Sequence, residues 1–73
     1  MSSDDLVRMS RQIAQFFEPY PREEAVAGVQ EHLVKFWTPA MRAELFVLRQ
    51  GGHRDLHPLV TDAVDRLLEG AGV

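Results

Sequence analysis

Three histidines and no cysteine set the limits on what this 73-residue chain can do chemically. His53 and His57 flank Asp55, and two imidazoles with one carboxylate form the only set that resembles a zinc site. On a helix, histidines four apart would share a face. Here Gly51-Gly52 before them and Pro58 after them place the trio in a loop. A solvated connector, with Asp55 bonding local backbone, is therefore favoured over a metal site. The lack of cysteine removes disulfides, thiolate zinc, iron–sulfur ligation and a cysteine nucleophile together. His32 lies at the edge of an apolar stripe, where an acid–base role would need a partner that the sequence does not place. A packed or interface histidine is the favoured reading. Ser10 falls near the inner face of a helix, where a hydroxyl usually bonds a carbonyl one turn back, and no serine has a plausible histidine–carboxylate pair. Gly51-Gly52 is neither preceded by a strand nor followed by a lysine and hydroxyl, so it is no phosphate loop. No catalytic, cofactor-binding or metal-ligating residue is expected.

The elements that would position these groups read as four helices. Ser2 or Ser3 can cap the first, with Asp4 and Asp5 favouring its positive end. Leu6, Met9, Ile13, Phe16 and Phe17 fall within one arc of it, until Glu18-Pro19-Tyr20-Pro21 ends the helix. Pro21 suits the first position of a second helix. Its stripe, Val26, Val29, Leu33, Phe36 and Trp37, repeats the first at an offset of 20 residues, by shared periodicity rather than duplication. Two matched stripes on a short loop predict an antiparallel hairpin. Thr38-Pro39 starts a third helix, which Gly51-Gly52 ends after Gln50. Pro58 opens a fourth, with Leu59, Val60, Ala63, Val64, Leu67 and Leu68 on one side. The expected architecture is all-α: a small bundle of four short helices beginning with an antiparallel hairpin. It forms a single domain over 1–73, ordered over about 3–69, with Gly70 to Val73 frayed.

The third helix carries apolar surface most of the way round. Met41, Leu45 and Leu48 form its internal stripe, while Ala40, Ala43, Phe46 and Val47 extend beyond it. A helix apolar on nearly every side is buried on more than one side, and so short a chain has little protein to do that twice. Burial and ordering cost nearly cancel at this length, so the chain is expected to be marginal alone. An external partner follows, and Trp37, Arg42, Phe46 and Arg49 are the expected interface, since Trp, Phe and Arg together typify binding hot spots.

Composition narrows the class further. A net charge of −3 lacks the basic excess of a nucleic-acid binder, and the 45% hydrophobic content is too high for a disordered tail. No run of about 18 apolar residues predicts a membrane span. The acidic start carries no secretion signal, so a cytoplasmic location is expected.

Taken together, these segments resemble the delta subunit of NAD-dependent formate dehydrogenase, an accessory protein of molybdenum-containing complexes. The likeness runs from about residue 6 to 68. It is carried by Leu6-Val7-Arg8-Met9, Gln12-Ile13-Ala14, Phe16-Phe17, Tyr20-Pro21, Glu24-Ala25-Val26-Ala27-Gly28, His32-Leu33, Phe36-Trp37, Pro39, Met41-Arg42, Gly51-Gly52 and Leu56-His57-Pro58-Leu59-Val60. Thr38 stands where that family is expected to have aspartate, and His53-Arg54-Asp55 is a charged insert. The resemblance implies a non-catalytic subunit with no cofactor of its own. Molybdopterin guanine dinucleotide, iron–sulfur clusters and FMN would sit in other subunits, which oxidise formate to carbon dioxide and reduce NAD. The chain would dock on the large catalytic (alpha) subunit, stabilising it or helping it mature. The alternative is a free-standing helical regulator acting as a homodimer. A helix–turn–helix ranks third, because the third helix has two arginines and too much apolar surface.

Overall fold

Each helix begins and ends where local chemistry makes it. The computed structural model describes residues 2–71, which form α1 (Ser3–Phe17), α2 (Arg22–Phe36), α3 (Pro39–Gln50) and α4 (Pro58–Ala71). Ser2 caps α1 through a reciprocal box in which its hydroxyl accepts from the Asp5 amide and the Asp5 carboxylate accepts from the Ser2 amide. These bonds hold the Asp5 carboxyl below the ordinary aspartate value of 3.8, the Ser2 hydroxyl contributing most. Pro21 sits one position earlier than expected: it is the N-cap of α2, and Arg22 is the first helical residue. Thr38 caps α3 by accepting from the Met41 amide, and Pro39 follows it. At the far end, Gly52 takes φ 72°, a left-handed conformation open to glycine, and lets the His53 amide reach back to the Leu48 carbonyl at 3.1 Å. α4 continues through Ala71, so of the tail expected to fray, Gly70 and Ala71 are helical, while Gly72 and Val73 lie outside the described residues.

The core gathers small aliphatic side chains from all four helices around α4. Val60, Ala63 and Val64 are fully buried there, facing Ala25, Val26, Val29 and Leu33 of α2 across the most extensive helix pair. Leu6 and Ala14 of α1 and Leu45 of α3 complete it. Its outer edge is tied by ion pairs. Arg22 pairs with Asp62, Arg66 with Glu23 at 2.8 Å, and Arg49 meets Asp65 through two bonds of 2.9 and 3.0 Å. The last of these pairings raises the Arg49 guanidinium above its usual range, through its hydrogen bonds to Asp65. The radius of gyration, 11.1 Å, is that of a fully compacted chain of this length.

The buried face of α1 differs from the expected one. Leu6, Val7, Ser10 and Ala14 are inside, whereas Met9, Ile13 and Phe17 are only partly covered and Phe16 is 67% exposed. At 100° per residue the true face is rotated by roughly 80° from the expected stripe. The reason is size: Ser10 and Ala14 let neighbouring helices approach α1 closely, where larger side chains would hold them off. Ser10 meets its own polar requirement by donating to the Val7 carbonyl at 2.8 Å, as read from the sequence. On α2, Val26, Val29 and Leu33 are buried as expected, but Phe36 is 71% exposed and leaves the stripe.

A candidate docking groove between α1 and α2

The displaced aromatic side chains come together. Met9, Gln12, Ile13, Phe16 and Phe17 of α1 face His32 and Phe36 of α2 across a groove of about 620 Å³, with Trp37 at its end. Neighbours on a helix point about 100° apart, and the covered arc of α1 takes in both Leu6 and Val7 near its start but only Phe17 of the Phe16-Phe17 pair at its end. Phe17 packs against the core and Phe16 is left outside; at the end of α2, Trp37 is buried and Phe36 is left outside.

The walls are held in place by specific contacts. The Phe16 and Phe17 rings meet edge-on at 5.0 Å, and Tyr20 lies 5.8 Å from Phe17. The Phe17 ring lies directly on Gly28 of α2, where a β-carbon would come within 2.4 Å of its Cε1. Only glycine gives that ring its seat. Across the groove, the His32 imidazole stacks on Phe36 with centroids 4.7 Å apart. Arg42 reaches over from α3 and donates to the carbonyls of Leu33 at 3.1 Å and Val34 at 3.3 Å, and also to that of Trp37. Leu33 also accepts the Trp37 amide at 3.3 Å, whereas the Val34 and Trp37 carbonyls are ones that the end of a helix leaves without an intrahelical partner, and a cation favours that end.

Charge is nearly absent from the groove. On the outer face of α2, Lys35 bonds Glu31 at 2.6 Å, which holds the Glu31 carboxyl below its usual value. On α1, Arg8 pairs with Asp5 at 3.1 Å. Gln12 and His32 have no side-chain hydrogen-bond partner among the described residues.

The residues singled out from the sequence do not form one exposed patch. Trp37 is buried but lines the groove. Arg42 and Arg49 are engaged within the chain, by α2 carbonyls and by Asp65. Phe46 is partly covered and packs against the core, while Val47, 65% exposed, is the large apolar side chain that α3 presents outward. The loop histidines are likewise engaged locally. His53 Nδ1 accepts from the Asp55 amide at 3.2 Å. His57 Nδ1 accepts from the Leu59 amide at 3.0 Å at the start of α4, while its Nε2 lies 3.2 Å from Glu18. Arg11 fastens the loop to α1 by donating to the Asp55 carbonyl at 2.7 Å. Among the described residues no three His, Asp or Glu side chains converge as metal ligands, and no helix is long and apolar enough to cross a membrane.

Hydrophobic periodicity alone does not show the groove, because it places Met9, Ile13, Phe16 and Phe36 in the interior. Two signals pointed to it: the paired aromatics, and the line of small residues at Ser10 and Ala14 that marks the truly buried face.

Comparison with known proteins identifies the lineage. The family described as NADH-dependent formate dehydrogenase delta subunit FdsD matches residues 5–64. The chain belongs to this family. The match takes in both walls of the groove, the Gly28 seat and the Arg42 clamp. It also takes in the His53-Arg54-Asp55 loop, so the charged insert lies within the family's span. No curated protein and no solved structure matches the chain. Family membership makes this chain a delta subunit of a formate dehydrogenase complex, and its name implies association with the other subunits.

Proposed function

We propose that the chain is a non-catalytic docking subunit in the cytoplasm. It seats on the large catalytic (alpha) subunit of a molybdenum-containing complex that oxidises formate and reduces NAD, and it stabilises that subunit or assists its maturation. The observation that carries this reading is the uncovered aromatic groove on a chain of this family. Phe16 and Phe36 stand 67% and 71% exposed in a molecule of only 73 residues, and large contiguous apolar patches mark sites of protein contact. Two of the side chains weighed for catalysis are engaged within the fold. Both nitrogens of His57 have partners within the chain, and Ser10 is spent on an α1 carbonyl. On this reading molybdopterin guanine dinucleotide, the iron–sulfur clusters and FMN belong to other subunits.

Co-expression of the tagged chain with the other subunits tests the proposal. The large subunit should copurify with it, and omitting the chain should lower the yield or thermal stability of the large subunit. Purification before and after cofactor insertion separates the two roles: retention in both preparations supports a resident stabiliser, and loss after insertion supports a maturation factor. A large subunit that never associates, and is equally stable without the chain, overturns the reading.

A further inference from the structure

Resting on that docking role, we propose that the groove between α1 and α2 receives one amphipathic helix of the large subunit, through an uncharged apolar face. Shape argues first. Met9, Ile13 and Phe16 line one wall at spacings of four and three, and His32 and Phe36 line the other one turn apart. The resulting channel runs for about 10 Å along α1. A ridge of side chains at i, i+3 or i+4, and i+7 fills such a channel, and helix-in-groove recognition uses that spacing.

Area and charge argue next. Phe16 and Phe36 together leave roughly 200–350 Å² of ring surface uncovered. That is a minority of the roughly 800 Å² per partner of a standard interface, the size of an apolar centre that a wider contact would surround. No Asp, Glu, Lys or Arg lines the groove; Lys35 is paired with Glu31 and Arg8 with Asp5, and the Arg42 guanidinium is taken up by backbone carbonyls. A charged side chain pressed into the groove would lose its water without gaining a counter-ion. Gln12 and His32 offer a single polar foothold, which fixes the register of the incoming helix as one buried polar residue does in a coiled coil. A second copy of this chain fits poorly, because a two-fold contact would lay one concave groove on another and leave about 620 Å³ unfilled on each side. It would also bring together two chains of charge −3.

A photocrosslinking benzophenone residue in place of Phe36, in the assembled complex, tests the occupant. The expected adduct lies on one helical segment of the large subunit with apolar residues at i, i+3 or i+4, and i+7. In the tagged chain, Phe16→Asp and Phe36→Asp should each cut recovery of the large subunit more than about tenfold, with circular dichroism and Tm unchanged, while Val47→Asp on α3 should not. An adduct to a second copy of the chain, or recovery undiminished in both groove variants, overturns the assignment. Wild-type chain that recovers no large subunit at all defeats the docking role itself. Undiminished recovery in the groove variants beside a normal wild type defeats only the groove.

Discussion

The two ends of α2 sit in contrasting surroundings. Its first half faces α4, where Ala25, Val26 and Val29 are sealed against Val60, Ala63 and Val64 and edged by the Arg22–Asp62 and Glu23–Arg66 pairs. In its last turn Leu33 is still buried and Arg42 of α3 holds the carbonyls, but the side turned to α1 is uncovered, and there Phe36 stands open beside His32. The apolar content of the two halves is similar, and what differs is whether a third helix lies over them. Burial here is decided by how many helices converge.

Substitutions should separate the two regions sharply. The largest effect belongs to the closed one: Leu45→Ala, at a fully buried position, should destabilise the chain by about 2–5 kcal/mol in chemical denaturation. Arg42→Ala comes next, at about 1–2 kcal/mol, because it unpairs carbonyls at the end of α2. Amide exchange should quicken in that last turn before it does elsewhere. Gly28→Ala should change stability by no more than about 1 kcal/mol, since the gain in helix propensity offsets displacement of the Phe17 ring. Its signature is a shifted Phe17 ring in the NMR spectrum and weaker capture of the large subunit. In the open region, Phe36→Ser should alter stability by less than about 0.5 kcal/mol. A loss as large as that of Leu45→Ala would place Phe36 in the core and erase the contrast.

The smallest effect is a local one of pH. The Asp5 carboxyl is held below 3.8 by its bonds to Ser2, so its folded value lies under its unfolded one. Its contribution is therefore present above the unfolded value and is lost as pH falls through the folded value. Acid titration followed by NMR should show the first turn of α1 fraying below about pH 4, and Ser2→Ala should bring that fraying to neutral pH.

Where these elements begin and end was legible because caps and breaks are local. Ser2, Thr38-Pro39, Gly51-Gly52 and Pro58 each act within a few residues of themselves. Which face turns inward was legible only where the large apolar residues also made the contact, as at Val29, Leu33 and Leu45. On α1 it failed, because close helix approach selects small residues, and a stripe of large apolar residues leaves out Ala14 and sets Ser10 only near the inner face. The candidate site followed the same division. Trp37 lines the groove, whereas Arg42 and Arg49 have partners on α2 and α4 that only the fold supplies.

Arg42 has one more consequence, in the entropy of association. By gripping the carbonyls of Leu33, Val34 and Trp37 it holds the last turn of α2, and with it the Phe36 lip, in a single position before any other protein arrives. A lip that is already set has little ordering left to lose on contact. For the proposed docking, encounter would then be limited by orientation rather than by refolding, at about 10⁵–10⁷ M⁻¹s⁻¹, and differences among variants would emerge in how long the contact survives.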